Sequence, residues 1–151
     1  QQSMHYALLF NYADTPWNTQ RWSRSILDRY YGYGIANAYL GDEDQGQMSA
    51  WAIMTSIGLF QTDGGCRVDP VYEIASPIFE EVTIDLGDRY GRGKKFTLKA
   101  HNASRKNIYV QSARLNGRQL DTFHFPASEL LQGGELVLEM GPEPNKSWGL
   151  K

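Results

Sequence analysis

Three consecutive acidic residues, Asp42, Glu43 and Asp44, are the strongest candidates for chemistry in this sequence. Adjacent carboxylates repel one another unless a cation, a helix N-terminus or a shared water compensates their charge. Asp42 and Asp44 could face a cleft together while Glu43 turns elsewhere, and two neighbouring carboxylates suit general-base activation of a water molecule. The alternative is structural: Asp44 caps the helix that follows, and Asp42 is a solvated loop residue favoured by the helix dipole.

Two further polar residues lie in an apolar N-terminal segment. His5 lies on a predicted helical face that also includes Leu8, Leu9 and Tyr12. There it could bind a substrate hydroxyl or be a hydrogen-bonded core histidine. Asn11 stands between two aromatic residues, and its amide must find a partner if it is buried. It could cap a local backbone group, which the residues alone favour, or supply an oxygen to a hard cation such as Ca²⁺.

The composition excludes several classes of protein. The 151 residues are 41% hydrophobic and 21% charged, which is typical of a globular protein and not of a disordered one. The net charge is −2, and the lysines and arginines are scattered, so we expect no nucleic-acid partner. No apolar run approaches the roughly 20 residues of a membrane span. Cys66 is the one cysteine, and it can form no disulfide within the chain.

The pattern of apolar residues predicts helices in the first part of the chain. One helix is expected over about Met4–Ala13, and a second begins at Pro16 after the N-cap Thr15 and ends near Tyr31. One face of the second helix would be apolar, and it is formed by Trp22, Ile26, Leu27 and Tyr30. The helix would end at the glycines Gly32 and Gly34. After a loop over Gly34–Gly41, a capping pair of Asp44 and Gln47 would open a third, buried helix that ends at Gly58.

Alternation of apolar and polar residues predicts strands in the second part of the chain. The clearest are Val82–Leu86, Phe96–Ala100, Ile108–Leu115, Leu120–Phe125 and Leu136–Met140. Asn116-Gly117 is typical of a type I′ hairpin turn, so Leu120–Phe125 is the expected partner of Ile108–Leu115. The expected fold class is α+β: residues 1–61 form helical hairpins, and residues 62–151 form a mostly antiparallel sheet. One face of that sheet could need a partner from outside the chain.

Several motifs of the sequence carry a resemblance to a known family. They are Leu9-Phe10-Asn11-Tyr12-Ala13, Pro16-Trp17-Asn18-Thr19-Gln20, the block Gly41–Trp51 (Gly-Asp-Glu-Asp…Ser-Ala-Trp), Tyr72-Glu73-Ile74-Ala75-Ser76-Pro77-Ile78-Phe79 and Asn107–Ser112 before Leu115-Asn116-Gly117. With these motifs in this order, the chain resembles the C-terminal portion of glycoside hydrolase family 92. These are calcium-dependent, exo-acting α-mannosidases, most of them α-1,2-mannosidases.

The resemblance implies a larger enzyme in which an N-terminal β-sandwich adjoins a helical (α/α) toroid, with the active site between them. Residues 1–61 would be the end of the toroid, and residues 62–151 the closing β-rich segment. Enzymes of this family invert the configuration at the anomeric carbon. In them a Glu is the general acid, a pair of Asp residues activates the water, and Ca²⁺ holds mannose hydroxyls. The resemblance assigns the Asp pair to Asp42 and Asp44, and it suggests Asn11 as a calcium contact and His5 as a sugar contact.

The chain also departs from the family pattern. The family's Asn-Glu-Pro-like segment would fall at or before Gln1, where this chain reads Gln1-Gln2-Ser3, and the general-acid Glu belongs to sequence before residue 1. The chain therefore looks like a fragment, and we expect it to be inactive alone. The implied partners are a mannose-containing glycan, the missing sandwich and the rest of the toroid, and the parent enzyme would be secreted or periplasmic.

Two other interpretations remain open. The strand region could be a non-catalytic carbohydrate-binding or structural β-module. An exposed row of aromatic side chains would favour sugar binding, and a continuous apolar face would favour docking on the rest of an enzyme. The strand aromatics alternate with aliphatic residues, which favours docking; they are Phe96, Tyr109, Phe123 and Phe125. An interaction protein without sugar chemistry would leave the cluster at Asp42 and Asp44 unexplained. If the missing neighbours leave apolar surface exposed, we expect the chain to self-associate.

Overall fold

The computed structural model describes residues 3–32, 34, 38 and 41–150. The helices, in chain order, are a 3₁₀ helix (Tyr6–Ala13), α1 (Pro16–Tyr30), α2 (Gln47–Ile57) and the short α3 (Ala127–Leu131). The strands are β1 (Leu59–Phe60), β2 (Val71–Ile74), β3 (Glu81–Asp85), β4 (Lys95–His101), β5 (Tyr109–Leu115), β6 (Arg118–Gln119), β7 (His124–Pro126) and β8 (Gly134–Gly141). The α+β class predicted from the sequence is confirmed. The predicted division at residue 61 stays a prediction, and β1 on its N-terminal side pairs with β2 on its C-terminal side.

The strands form two sheets. The larger has the order β3-β4-β8-β5-β6, and the smaller has the order β1-β2-β7. Their pairing is antiparallel except between β4 and β8, which run parallel. The core lies between the sheets, where the aromatic rings of Phe96 and Phe125 stack at 6.1 Å. Phe96, Leu98 and Ala100 are buried on β4, as their alternation predicts.

One predicted strand pairing is wrong. The hairpin turn at Asn116-Gly117 is present, and both residues have positive φ angles of 50° and 78°. However, only Arg118 and Gln119 pair with β5 after that turn. The predicted partner, Leu120–Phe125, makes one backbone hydrogen bond to β5, from the Leu120 N–H to the Ala113 carbonyl at 2.9 Å. It then leaves the larger sheet, and β7 pairs with β2 in the smaller one. Local alternation cannot show which sheet a strand joins, because that depends on distant segments.

The N-terminal helical segment has a different period from the predicted one. It is a 3₁₀ helix, in which residues three apart lie on the same side. Leu8 and Asn11 are therefore buried together, whereas Leu9 and Tyr12 are exposed. The predicted single face of His5, Leu8, Leu9 and Tyr12 is wrong for this reason.

The second helix begins where the sequence predicts. Thr15 is at its N-cap and Pro16 at its first position, although the Thr15 hydroxyl donates backwards to the carbonyl of Phe10 at 3.2 Å. The helix ends at Tyr30, and an extended Tyr31 follows it, where a left-handed glycine was predicted. Much of the predicted loop Gly34–Gly41 lies outside the described residues, as do Gln1 and Gln2.

The helix α2 ends at Gly58 as predicted, and Met48, Trp51 and Thr55 form its buried stripe. Gly58 has a φ of 94°, and a Cβ there would lie 2.8 Å from the Pro77 ring, so both the backbone and the packing demand glycine. Ile53 on the opposite side is exposed. Met54 and Ile57 pack against the core, so the predicted burial of α2 holds for these residues and is wrong for Ile53.

Candidate active site

The middle acid of the cluster, Glu43, holds the start of α2. Its carboxylate accepts hydrogen bonds from the backbone N–H groups of Met48 at 2.9 Å and Ser49 at 2.8 Å, and from the Ser49 hydroxyl. These N–H groups have no partner within the helix, so the carboxylate satisfies them and meets the positive end of the helix dipole. The pKa of Glu43 is lowered below its usual range, chiefly by the hydrogen bond from the Ser49 hydroxyl.

The capping pair predicted from the sequence is therefore wrong. The N-cap residue is Gly46, in a left-handed conformation with a φ of 69°. A glycine has no side chain with which to cap the helix. Asp44 comes two residues before this glycine and cannot take its place. Glu43 does the capping instead, from three residues before the N-cap, because the turn at Gly46 folds it back over the first helical residues.

Asp42 and Asp44 lie on either side of the anchored Glu43, and both are exposed. Because Glu43 fixes the backbone between them to α2, the two acids belong to a segment of defined position. Their side chains remain accessible to water. The structure does not test the predicted base role of these two residues, which stays a prediction.

Asn11 is nearly fully buried, with 2% of its surface exposed. Neither its amide nitrogen nor its amide oxygen has a hydrogen-bond partner among the described residues. The prediction that this side chain caps a local backbone group is therefore wrong. Buried amides normally bond, so an unpaired one indicates a group that a partner outside these residues satisfies.

His5 lies at the start of the 3₁₀ helix and is half-buried. Its ring meets the ring of Tyr6 edge to face, with centroids 5.2 Å apart. It forms part of the same N-terminal segment as Asn11. Its predicted sugar contact stays a prediction.

Sequence reasoning missed a polar network around Tyr12. The Tyr12 hydroxyl donates to the carboxylate of Glu73 at 2.5 Å and accepts from the Arg67 guanidinium at 2.8 Å. Glu73 also accepts from the Thr62 hydroxyl, and Arg67 pairs with Asp63. The signal in the sequence was Glu73 itself, a charged residue in an otherwise apolar segment. Its side chain is buried in the structure, with 1% of its surface exposed. The network joins the residue that follows Asn11 to the β-rich part.

A second missed set of contacts holds α1 against the β-rich part. The side-chain oxygen of Gln20 accepts from the backbone N–H of Val110 at 3.0 Å. The guanidinium of Arg24 donates to the carbonyl oxygens of Pro77 at 2.6 Å and Ser104 at 2.8 Å. Gln20 and Arg24 are buried. The signal for Gln20 was its place in the Pro-Trp-Asn-Thr-Gln motif, which here serves packing.

The helical and strand parts with these contacts match a known family of glycosidases. The family model described as the glycosyl hydrolase family 92 catalytic domain matches residues 1–142. The chain belongs to glycoside hydrolase family 92.

Similar proteins of known structure support the assignment. The inverting mannosidase BT2199 from Bacteroides thetaiotaomicron VPI-5482 is 36% identical with a TM-score of 0.87, and the match covers 100% of this chain and 19% of that one. The α-mannosidase BT3965 from Bacteroides thetaiotaomicron in complex with mannoimidazole is 32% identical with a TM-score of 0.88, and the match again covers 100% and 19%.

A curated relative is similar over the same region. It is named an uncharacterized secreted glycosidase of Arthroderma benhamiae, and it is 29% identical over 143 residues, or 93% of this chain and 17% of that protein. The chain thus spans about a fifth or less of the length of these relatives. Among the described residues, no helix is long and apolar enough to cross a membrane.

Proposed function

We propose that this chain supplies the water-activating half of a calcium-dependent, inverting exo-α-mannosidase, with α-1,2-linked mannose as the expected substrate linkage. The observation that carries the proposal is the arrangement at α2. Glu43 is engaged by the helix N-terminus, which leaves Asp42 and Asp44 exposed on an anchored segment of a family 92 chain. Two carboxylates that activate water must be accessible to water and must be held by a fixed backbone. This segment meets both conditions.

In the proposed reaction, one carboxylate of the pair accepts a proton from water as the water attacks the anomeric carbon. The second carboxylate orients the water, and its negative charge stabilises the positive charge that develops at the anomeric carbon. An inverting enzyme needs its acid on the opposite side of the sugar, roughly 6.5–9.5 Å from the base, so that water fits between. We infer that this acid lies in the part of a longer chain outside these 151 residues. The chain alone would then be inactive.

The residues present fit only a part of a calcium site. Ca²⁺ takes about six to eight oxygen ligands, and the buried Asn11 oxygen without a partner is a ligand of the right kind. The described residues contain no group of three or more carboxylate, histidine or cysteine side chains that could hold a metal. We therefore propose that Asn11 contributes one oxygen, with His5 near the sugar. A bound Ca²⁺ would hold mannose hydroxyls and favour ring distortion.

The aromatic residues of the strands favour docking over sugar binding. Phe96 and Phe125 are buried in the core, so they do not form an exposed row on which sugars could stack. We propose that the β-rich part supports the enzyme and that the whole protein removes terminal mannose from secreted or surface glycans. The name of the Arthroderma relative as a secreted glycosidase supports the location.

A chimera tests the catalytic proposal. These 151 residues would replace the aligned C-terminal part of BT2199, whose match covers this chain completely. Release of mannose from an α-1,2-mannobioside is measured for the chimera and for Asp42→Asn and Asp44→Asn. Loss of a general base lowers kcat by about 10²–10⁴-fold, and we expect a loss in this range for at least one variant, with KM changed little.

Two acids serve as controls in the same chimera. Asp88 is exposed at the tip of the β3–β4 hairpin, and Asp88→Asn should leave kcat unchanged. Glu43→Gln should lower stability more than kcat at a temperature where the chimera is folded. A folded chimera in which both aspartate variants keep full activity would remove Asp42 and Asp44 from the mechanism.

The calcium proposal has a separate test. Titration calorimetry with CaCl₂ in the presence of mannose is run on the chimera and on its Asn11→Leu variant. We expect weaker calcium binding by the variant, whereas equal binding by the two proteins would exclude Asn11 as a ligand. The same titration on the 151-residue chain should show no tight binding, because its described residues supply no complete ligand set.

A further inference from the structure

An irregular segment follows β8 and packs back onto the molecule; we call residues 143–150 the C-terminal strap. It begins directly after the residues that the family model matches. Trp148 of the strap lies in the core with 5% of its surface exposed, and Gly149 beside it is buried as well. A tryptophan removes a large apolar surface from water when it is buried, so this ring holds the strap against the fold.

The first part of the C-terminal strap is held by a β-bulge in β5. The register of β5 against β8 shifts between Val110 and Ser112, which places Gln111 outside the regular ladder. The side chain of Asn145 donates to the carbonyl oxygen of Gln111 at 2.8 Å, and the Gln111 side chain donates to the carbonyl oxygen of Glu143 at 2.9 Å. The bulge therefore supplies one acceptor and one donor to the strap.

Asn145 also shapes the strap itself. Its side-chain oxygen accepts hydrogen bonds from the backbone N–H groups of Ser147 at 2.9 Å and Trp148 at 3.3 Å. One amide group thus joins the bulge in β5 to the turn that directs Trp148 into the core. Because both ends of this amide are used, alanine at position 145 would release two sets of contacts.

The second part of the strap holds the connection between the two sheets. This connection, residues 120–123, leads from β6 to β7, and we call it the crossover. The ring N–H of Trp148 donates to the carbonyl oxygen of Leu120 at 2.9 Å. The backbone N–H of Gly149 donates to the carbonyl oxygen of Asp121 at 3.1 Å. The strap therefore bonds to the crossover at the point where the chain leaves the larger sheet.

The crossover in turn supports the N-terminal 3₁₀ helix. Phe123 packs edge to face on Tyr12 of that helix, and its carbonyl oxygen accepts from the Ile74 N–H at 2.7 Å. The strap also passes close to the start of α1. Gly149 has a φ of 83°, and a Cβ there would lie 3.0 Å from the Pro16 ring and 3.5 Å from the Cβ of Phe123.

We infer that the C-terminal strap is a latch, which holds the crossover and thereby fixes the N-terminal 3₁₀ helix. The contacts run without a break from Asn145 and Trp148 through the crossover to Tyr12. The central strands of the larger sheet pair with one another. Release of the strap should therefore loosen the 3₁₀ helix and leave that sheet folded.

The experiment uses two variants of the 151-residue chain, Asn145→Ala and Trp148→Phe. The first removes both sets of amide contacts, whereas the second keeps an aromatic ring and removes the N–H that Leu120 accepts. Asn107→Ala is the matched control, because the Asn107 side chain also donates to a backbone carbonyl. Its acceptor is Asn102 at 2.9 Å, in the connection between β4 and β5.

Amide hydrogen exchange measures the latch at three positions. The Ile74 N–H reports on the crossover through its bond to Phe123. The Thr15 N–H reports on the 3₁₀ helix through its 3.0 Å bond to Phe10. The Ala100 N–H, on β4, reports on the larger sheet. We expect exchange at the first two positions to become about tenfold faster in the strap variants, with no change at Ala100 and none at any position in the control.

Two results would overturn the inference. Equal acceleration at Ala100 would mean that the strap belongs to the general core and does not control one region. Exchange at the wild-type rate at both Ile74 and Thr15 would mean that the crossover holds without the strap. If Asn145→Ala does not fold, Trp148→Phe decides between these outcomes, because it keeps a ring in the core.

Calcium titration of the chimera connects the latch to the proposed function, because the 3₁₀ helix carries Asn11. With Asn11 as a ligand, the chimera that contains Asn145→Ala should bind calcium more weakly than the one that contains Asn107→Ala, and this result would support the latch. Equal calcium binding together with faster exchange at Thr15 would leave the latch supported and would contradict only the ligand role of Asn11.

Discussion

The Tyr12 hydroxyl donates a 2.5 Å hydrogen bond to the carboxylate of Glu73, a residue 61 positions later in the chain. The bond joins the N-terminal 3₁₀ helix to the central strand of the smaller sheet. Tyr12 also packs edge to face on Phe123, with ring centroids 5.2 Å apart, and the Arg67 guanidinium lies 5.9 Å from its ring centroid. Three separate segments thus fix Tyr12 and, with it, the backbone at Asn11.

Replacing Tyr12 by Phe tests this bond. The variant leaves the buried Glu73 carboxylate with one donor fewer, so we expect the free energy of unfolding at pH 7 to fall by about 1–3 kcal/mol. Urea denaturation followed by circular dichroism measures the change. Tyr90→Phe, at an exposed position, is the control. If it lowered the free energy of unfolding as much as Tyr12→Phe does, the bond from the Tyr12 hydroxyl would contribute nothing.

Alkaline pH should remove the contribution of Tyr12. Burial, followed by the hydrogen bond to Glu73, raises the pKa of Tyr12 to about 12 from 10.0. The fold therefore favours the protonated phenol, and this stability is complete below pH 10 and lost as the pH rises through 12. The stability difference between the wild type and Tyr12→Phe should be constant to about pH 10 and shrink above it. A difference that grows with pH would contradict the assignment.

Replacing Glu43 by Ala should destabilise the chain at neutral pH, because the N–H groups of Met48 and Ser49 lose their acceptor. Hydrogen bonding lowers the pKa of Glu43 below 4.5 in the folded chain. Its contribution is thus present above pH 4.5 and lost as the pH falls through the lower, folded value. Urea midpoints at pH 7 and pH 3 should show a loss at the first pH and little at the second.

The neighbouring acids provide the comparison for that experiment. Asp42→Ala and Asp44→Ala change exposed side chains, and we expect urea midpoints within error of the wild type at both values of pH. If Asp44→Ala were as destabilising as Glu43→Ala, the helix would depend on Asp44 after all.

Replacing Gln20 by Leu should weaken the attachment of α1 to the larger sheet. The substitution keeps the volume similar but leaves the buried N–H of Val110 without its acceptor at 3.0 Å. A loss of about 1–3 kcal/mol in the free energy of unfolding is expected. Faster hydrogen exchange at Val110 provides a second, local readout. Arg21→Leu, at an exposed position one residue further on, should change neither quantity.

His124 should make the chain less stable in mild acid. Burial, with a smaller effect of Arg67, lowers the pKa of His124 below 6.5, and its Nδ1 is buried without a partner among the described residues. The fold favours the neutral ring, so this stability is present above pH 6.5 and lost as the pH falls below that value. An NMR titration of the His124 ring should give a midpoint below 6.5, and a midpoint above it would contradict the argument.

The sequence alone determined the features that depend on neighbouring residues. The Thr15-Pro16 start of α1, the Gly58 end of α2, the Asn116-Gly117 turn and the alternation on β4 are all present as predicted. Each follows from backbone restrictions or from the period of a short element. The motifs also sufficed for the family, and they selected Asp42 and Asp44, whose roles stay predictions.

The tertiary structure decided which groups from distant segments meet. The fold made Glu43 the cap instead of Asp44, because the left-handed Gly46 turns the chain back over α2. It also brought Glu73 to Tyr12 and turned the aromatic side chains of α1 outward. A helical period specifies that Trp22, Ile26 and Tyr30 share a face. Whether that face is inside depends on what else binds the helix, and here the hydrogen bonds of Gln20 and Arg24 place the opposite, polar side against the sheet.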